Sequence, residues 1–141
     1  MTARYYISVV HRRQVEIAQE EGFVSFSHGR EAFIKPLNPG DKVIYYAPKS
    51  DMDGTPVRAF IAHATVTGDV VETRDFGDWG QGFIRSATFD DVTDIPVAQI
   101  RDQLDFVPDG PSWGTAFRNG KREISADDYS RLAGALLGGT P

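Results

Sequence analysis

Residues 38–67 read NPGDKVIYYAPKSDMDGTPVRAFIAHATVT, and this stretch predicts a turn followed by two strands with a loop between them. The residues at 38–41 are a strong turn signal, because proline and glycine favour tight changes of direction. The β-branched and aromatic residues of 42–47 are typical of a strand. After a loop over 48–56 that is rich in turn residues, the alternating side chains of 57–67 predict a second strand with one apolar face.

The residues before this stretch predict a strand, a helix and another strand. Arg4–Val10 is β-branched and aromatic, which is typical of a buried strand. His11–Glu21 has the apolar spacing of a helix, and Gly22 supplies its C-terminal stop. The short apolar run Phe23–Ser27 predicts a second strand that ends before Gly29.

The residues after it predict two further strands and two helices. Val70–Thr73 and Phe83–Phe89 favour strands, and a glycine-rich segment separates them. Proline is tolerated in a first helical turn, so Pro96–Leu104 predicts a short helix, and Ser125 caps the last one. The whole pattern predicts a single α+β domain over residues 1–141. Its five or six strands form a curved sheet that closes partly into a barrel, with short flanking helices.

The composition is that of an ordinary globular domain. Of the 141 residues, 40% are hydrophobic and 25% are charged. The chain has no cysteine, which excludes disulfides, cysteine nucleophiles and cysteine-bound zinc. No apolar run approaches the roughly 20 residues that a membrane span needs, and the first residues do not resemble a signal peptide. We therefore expect a cytoplasmic protein without a membrane partner. The sequence does not indicate an oligomeric state, and a monomer is assumed.

The charge balance limits how this chain can bind nucleic acid. The formal net charge is −5, which argues against a protein that coats a phosphate backbone. Residues 1–49 carry seven basic and five acidic side chains, whereas residues 50–141 carry eight basic and fifteen acidic ones. We expect a weak grip on bulk nucleic acid, so that any affinity comes from a pocket with a local basic rim.

The sequence shows no recognisable catalytic or metal-binding pattern. The histidines at positions 11, 28 and 63 stand far apart, with no carboxylate or cysteine at ligand spacing. The glycines between Gly77 and Gly82 lack the order of a dinucleotide fingerprint, and no Gly-x-Ser-x-Gly motif occurs. We expect no metal, no cofactor and no catalytic residue.

Polar and aromatic residues cluster where the predicted strands meet loops, which is where sites are usually built. Three groups stand out, at residues 27–30, 45–49 and 113–118. A purely structural role stays open for some of them. In that alternative, at least one of Tyr45 and Tyr46 belongs to the core. Trp113 then caps the barrel, and His28 forms a hydrogen bond with a loop backbone.

Taken in order, the motifs of this chain resemble the EVE domain family, which belongs to the PUA-like superfamily and is similar in fold to YTH domains. The resemblance covers roughly residues 3–135. The motifs that carry it are Arg4-Tyr5-Tyr6-Ile7, Gly22-Phe23, His28-Gly29-Arg30, Pro39-Gly40-Asp41, Tyr45-Tyr46-Ala47-Pro48-Lys49, Trp113-Gly114, Phe117-Arg118 and Glu123-Ile124-Ser125. The chain departs from the family at Tyr6 and Lys42, where tryptophan is common, and at Ser27, where cysteine is common.

The resemblance implies a PUA-like pseudobarrel with one pocket for a single flipped-out nucleobase. The base would be a modified one, such as methylated or hydroxymethylated cytosine in DNA, or a modified base in RNA. Extruding a base costs a few kcal/mol, and stacking on an aromatic ring returns about 1–3 kcal/mol. The implied pocket residues are Tyr6, Phe26, Tyr46, Trp113 and Phe117 as rings, His28, Arg30, Lys49, Arg85 and Arg118 as polar or basic groups, and Ser27, Gly29 and Pro48 beside them.

Two other classes of function stay open. One is an enzyme or binder that acts on a small nucleotide-like ligand in the same pocket, with His28 and a carboxylate as its reacting groups. The other is a protein-interaction adaptor whose pocket is vestigial, which an exposed apolar patch without a concave site would favour. A protein partner or a fused effector is compatible with each of these functions. An assay separates the first class from a base reader, and the shape of the pocket separates the second.

Overall fold

The computed structural model describes residues 3–26, 29–51 and 54–138, and these form eight β-strands and four α-helices. The elements in chain order are β1 (Tyr5–Val9), α1 (Arg12–Glu21), β2 (Phe23–Val24), α2 (Glu31–Ile34), β3 (Lys42–Lys49), β4 (Pro56–Val66), β5 (Glu72–Asp75), β6 (Gln81–Asp90), β7 (Ile95–Pro96), α3 (Val97–Ile100), β8 (Lys121–Ile124) and α4 (Ala126–Leu136). Three 3-10 segments, Gly77–Trp79, Arg101–Gln103 and Gly110–Phe117, lie between them.

The strands join in one mixed sheet that curls into a half barrel. The main path runs β2-β6-β4-β3-β1-β8, while β5 pairs with β6 and β7 pairs with β4. Strands β1 and β3 are parallel, and the other pairs are antiparallel. The predicted α+β class with a curved, partly closed sheet and short flanking helices is confirmed.

Two hydrophobic cores lie on opposite faces of this sheet. Neighbouring side chains of a strand point to opposite faces. Along β1, Tyr6 belongs to one core and Ile7 to the other, and along β3 the same alternation separates Tyr45 from Tyr46. We call the side of Tyr6 and Tyr45 the first face, and the side of Ile7 and Tyr46 the second face. Helix α1 packs on the first face through Val15.

The predicted number of five or six strands is too low. Strand β7 has only two residues, which is too short to show an alternating pattern. Strand β8 reads KREI, so three of its four residues are charged, and it lies at the end of the main strand path. Charged side chains are common on edge strands, because they prevent pairing with other chains. A reading of hydrophobic alternation therefore misses both strands.

The predicted helix ends are confirmed in atomic detail. Gly22 has φ +78°, and its N–H donates to the Ala18 carbonyl at 2.8 Å, which closes α1. The Ser125 hydroxyl accepts from the Asp128 N–H at 3.1 Å at the start of α4. No helix within the described ranges is long and apolar enough to cross a membrane.

Gly29 lies where the chain after β2 passes against β6. Its φ is +66°, and a Cβ at this position would come within 2.7 Å of the Gly82 Cα. We expect Gly29→Ala to lower the free energy of unfolding by about 2–4 kcal/mol, because left-handed backbone strain adds to an overpacked contact with backbone. Chemical denaturation measures this change.

Gly40→Ala is the matched control. Gly40 has φ +94° but open space around its Cβ position, so the variant carries backbone strain without the close contact. We expect the smaller loss of about 1–2 kcal/mol. Equal losses in the two variants would show that the approach of Gly29 to β6 does not matter for stability.

Candidate functional site

The rings that the sequence assigns to one pocket lie on both faces of the sheet. Tyr6 and Phe26 belong to the core of the first face, whereas Tyr46 and Phe117 belong to the core of the second face, with Trp113 packed against it. A sheet separates the two groups, so the prediction of a single pocket with all five rings is wrong. The described residues instead form a concave surface on each side.

A cleft with three cations lies on the side of the first face. It has a volume of about 440 Å³, within the range of roughly 300–1,000 Å³ that is common for ligand sites. Helix α2 and the turn before it contribute one wall, and the chain that leads into β8 contributes the other. Its lining residues, which we call the basic cleft, are Arg30, Phe33, Arg118, Asn119, Gly120 and Lys121.

Two buried aromatic rings lie beneath Lys121. Its Nζ is 4.5 Å from the centroid of the Tyr6 ring and 5.3 Å from that of Phe26. The two rings meet edge to face with their centroids 6.4 Å apart. The negative faces of aromatic rings attract a cation, so they fix the ammonium group at the base of the cleft.

Lys121 is a partly buried cation that keeps free donors. Its Nζ donates to the Phe33 carbonyl at 2.8 Å, which leaves two of its three N–H groups for a ligand. No ion pair joins it to a carboxylate in the part of the chain that the structure describes. Burial lowers the pKa of this ammonium, and attraction to Glu123 and Asp41 offsets part of that effect. A desolvated cation in a cleft is a feature of binding sites.

The two arginines of the basic cleft complete its positive charge. Arg30 and Arg118 are exposed, and the Arg30 guanidinium carbon lies 5.7 Å from the centroid of the Phe33 ring. None of the six lining side chains is a carboxylate. The cleft therefore attracts anions, and its arginines have the planar donor geometry that suits phosphate oxygens.

The lowered pKa of Lys121 predicts a pH dependence. If the ammonium group holds an anion, affinity should fall as the pH rises through this pKa, below the pH at which an ordinary lysine titrates. Lys121→Arg should remove this step, because arginine stays charged over the whole range. An affinity titration from pH 7 to pH 10 checks both, and a wild-type profile equal to that of the arginine variant would contradict it.

The free energy of unfolding should rise over the pH interval in which the affinity for an anion falls. Between the lowered pKa and the ordinary lysine value, the unfolded chain holds the proton that the folded chain has lost. The free energy of unfolding therefore rises with pH there. Denaturant titrations of the wild type and of Lys121→Arg at the same pH values measure this contribution.

Arg85 does not reach the basic cleft, and the prediction that it contacts a ligand is wrong. Its side chain is only 3% exposed. Nη1 donates to the Leu37 carbonyl at 2.6 Å, and Nη2 and Nε donate to the Gly68 carbonyl at 2.6 and 3.1 Å. The guanidinium therefore bonds backbone carbonyls rather than a ligand, and it links the loops that contain Leu37 and Gly68.

The remaining predicted residues have different outcomes. Gly29 lies next to Arg30 in the turn that opens towards α2, with its N–H donating to the Phe26 carbonyl at 2.7 Å. Lys49 is exposed at the end of β3 and does not line the cleft. Ser27 and His28 lie outside the described residues, so their place in a site stays a prediction.

A second concave surface of about 450 Å³ lies on the side of the second face. We call it the aromatic groove, and its lining residues are Tyr46, Pro48, Arg58, Pro111, Trp113, Gly114 and Phe117. The rings of Tyr46 and Phe117 stack with centroids 3.9 Å apart. Burial raises the pKa of Tyr46 to about 12, and the charge of Arg58 offsets part of that effect.

Sequence reasoning missed four residues of the basic cleft: Phe33, Asn119, Gly120 and Lys121. The signal that could identify Lys121 is its position, because it is one of only four lysines and lies three residues after the Phe117-Arg118 motif. The charged sequence of β8 does not indicate a strand, so sequence alone does not place Lys121 beside a pocket. In the described part of the chain, no group of three or more His, Cys, Asp or Glu side chains could hold a metal ion.

Comparison with known proteins gives relatives in sequence and in fold, although no family model matches the chain. A UPF0310 protein of Mycobacterium avium is 32% identical over 136 residues, which cover 93% of this chain and 96% of that protein. The YTH domain of Zygosaccharomyces rouxii MRB1, solved in complex with N6-methyladenosine RNA, superposes with a TM-score of 0.62 at 16% identity, over 96% of this chain and 85% of that one. The YTH domain-containing protein mmi1, solved with RNA, gives 0.61 at 15% identity, over 93% and 79%. The fold is therefore YTH-like.

Proposed function

Because this chain belongs to the UPF0310 family and has a YTH-like fold, we propose that it is a nucleic-acid-binding module that holds an exposed, modified base in the basic cleft. The observation that carries the proposal is the partly buried Lys121 ammonium, which lies over two rings without a carboxylate partner in the described structure. The resemblance of the sequence motifs to the EVE domain family supports the same function.

The cleft offers the groups that such a ligand needs. Arg30 and Arg118 are exposed at its rim, where they meet the phosphates on either side of the base. The ring of Phe33 gives the base a stacking partner, and the amide of Asn119 donates and accepts at its edge. Lys121 bonds an acceptor of the base or a phosphate oxygen with its two free donors.

RNA is the first nucleic acid to test. Two of the similar folds are described as bound to RNA, one of them to N6-methyladenosine RNA. A buried methyl group adds only about 0.8 kcal/mol, or roughly fourfold in affinity. Stronger selectivity requires a buried polar group that the unmodified base leaves unpaired. The ratio of the affinities for modified and unmodified strands therefore distinguishes burial of the methyl group from recognition by such a polar group.

The lining of the cleft favours binding over catalysis. Its described side chains include no carboxylate, hydroxyl or thiol, so the Lys121 amine has no second reacting group beside it with which to form a nucleophile–base pair. We propose that the protein acts on its target through affinity alone, together with a partner that supplies any further activity.

A binding titration tests the proposed function. The purified chain is titrated with single-stranded and duplex RNA and DNA that carry adenine or cytosine, each with and without a base methyl group. We expect the single-stranded, modified strands to bind most tightly. With two phosphate contacts from the arginines, or three if Lys121 also bonds a phosphate, the logarithm of the affinity should fall against the logarithm of the salt concentration with a slope of about −1.4 to −2.

Two outcomes would contradict the proposal. Equal affinity for every modified and unmodified strand would mean that the cleft holds backbone only. Binding of a free nucleoside monophosphate as tight as that of the matching oligonucleotide would favour a small nucleotide-like ligand instead.

A further inference from the structure

Lys121 carries a positive charge at the base of the basic cleft that no side chain of the cleft neutralises. The six lining residues include three cations and no carboxylate. Glu123 and Asp41 attract the ammonium group, but neither forms an ion pair with it in the part of the chain that the structure describes. Its hydrogen bond to the Phe33 carbonyl, at 2.8 Å, is to a neutral group. A ligand is therefore left to balance this charge.

The cations of the cleft lie at different depths. Arg30 and Arg118 are exposed, whereas Lys121 is partly buried, with its Nζ 4.5 Å from the ring centroid of Tyr6 and 5.3 Å from that of Phe26. The backbone of a bound strand carries a phosphate at every nucleotide, so it meets the exposed arginines at the rim. The ligand group that reaches Lys121 then belongs to the base and not to the backbone.

The substituents that a base can carry differ in what they give to an ammonium group. A methyl group has no acceptor, so its burial adds only roughly fourfold in affinity. A hydroxymethyl group adds one neutral oxygen. A carboxylate has two oxygens for the two free N–H groups of Lys121, together with the opposite charge. Hydrogen bonds between charged groups are shorter and roughly twice as strong as neutral ones.

We propose that the base held in the basic cleft carries a carboxyl group, which pairs with the ammonium group of Lys121. This inference rests on the proposed function and names the class of modification that the same site reads. The rings of Tyr6 and Phe26 hold the ammonium group in place before the ligand arrives, so little side-chain freedom is lost when the pair forms. Because Lys121 is partly buried, salt screens this pair less than it screens the contacts of the exposed arginines.

Single-stranded oligonucleotides of one sequence, made both as RNA and as DNA, test the proposal. Each contains one central cytosine whose position 5 carries hydrogen, a methyl group, a hydroxymethyl group or a carboxyl group. The comparison of hydroxymethyl with carboxyl isolates the charge, since both add an oxygen. We expect the full chain to bind the carboxyl strand about tenfold more tightly than the hydroxymethyl strand. The methyl strand should bind roughly fourfold more tightly than the unmodified one.

Two controls separate a pair with Lys121 from a general effect of charge. A hydroxymethyl strand that is one nucleotide longer has the same formal charge as the carboxyl strand, and we expect it to stay severalfold weaker. Lys121→Met should reduce the preference for carboxyl over hydroxymethyl to about twofold or less, because only the screened charges of the rim remain. Lys49→Met removes an exposed lysine outside the cleft and should keep the wild-type preference.

The outcomes distinguish this proposal from the proposed function. If the methyl strand binds at least as tightly as the carboxyl strand, and both bind more tightly than the unmodified one, the carboxyl proposal is overturned and the base reader stands. The carboxyl proposal is also overturned if the longer hydroxymethyl strand matches the carboxyl strand, or if Lys121→Met keeps the wild-type preference. Equal affinity of the wild type for all of these strands overturns both proposals.

Discussion

Lys121→Met should weaken the binding of single-stranded RNA by about 10- to 100-fold. A hydrogen bond to a charged group contributes about 1.5–3 kcal/mol, and methionine removes both the charge and the donors. Lys121 lies at the base of the basic cleft, with its Nζ over the rings of Tyr6 and Phe26. A ligand that enters the cleft therefore meets this group.

The same change should not unfold the protein. Burial lowers the pKa of Lys121, which means that the fold disfavours its charged form. Methionine has a long, flexible apolar side chain that keeps the contact with the two rings. The Phe33 carbonyl loses its donor in this variant, while the burial of a charge is relieved, so we expect the free energy of unfolding to change by no more than about 1 kcal/mol. Denaturant unfolding of the variant shows whether lost affinity reflects lost structure.

Lys49→Met is the matched control, because it removes an exposed lysine that lies outside the cleft. Fluorescence anisotropy with a labelled oligonucleotide should give wild-type affinity for this variant. If Lys49→Met loses as much affinity as Lys121→Met, the protein binds RNA by net charge and the cleft has no special part in it.

Arg85→Leu should lower the free energy of unfolding by about 2–5 kcal/mol. The guanidinium of Arg85 is 3% exposed and donates to the carbonyls of Leu37 and Gly68. Leucine leaves both carbonyls without these donors, and an unpaired carbonyl costs about 1–3 kcal/mol where it is buried, as at Leu37, and less where it is half-buried, as at Gly68. The two loops that Arg85 connects should also lose protection from hydrogen exchange.

Arg13→Leu is the control for the loss of a positive charge. Arg13 is exposed on α1, and surface changes of this kind alter stability by about 0.5 kcal/mol or less. Denaturant unfolding of both variants measures the difference. Equal stability of Arg85→Leu and Arg13→Leu would show that the buried guanidinium contributes nothing to the fold.

The strands and helices with strong periodic signals could be predicted from the sequence. Local signals mark the turn before β3, the glycine that ends α1 and the serine that caps α4. Each depends on its own backbone conformation or on a hydrogen bond within one turn, so it can be found from the neighbouring residues alone. Strand β8 could not be found in this way. Its charged sequence forms a strand because β1 offers an edge to pair with, which is a tertiary effect.

The site was predicted by residue type but not by position. Tyr45 and Tyr46 looked alike, and the sequence indicated that at least one belongs to the core. Both are buried, because each face of the sheet is covered by its own core. The face on which a ring lies depends on the pleat of its strand. Tyr6 of β1 and Tyr46 of β3 therefore lie on opposite faces of the sheet. Arg85 shows a further limit, since its carbonyl partners at Leu37 and Gly68 come from loops distant in sequence.

The most direct test of the basic cleft is to locate the bound RNA by NMR. The backbone amides of Gly120 and Gly114 are well suited, because Gly120 lines the basic cleft and Gly114 lines the aromatic groove on the opposite face. The isotope-labelled protein is titrated with a short single-stranded RNA that carries N6-methyladenosine. We predict a progressive shift of the Gly120 resonance and an unchanged Gly114 resonance. A shift of Gly114 with Gly120 unchanged would contradict the assignment of nucleic-acid binding to the basic cleft.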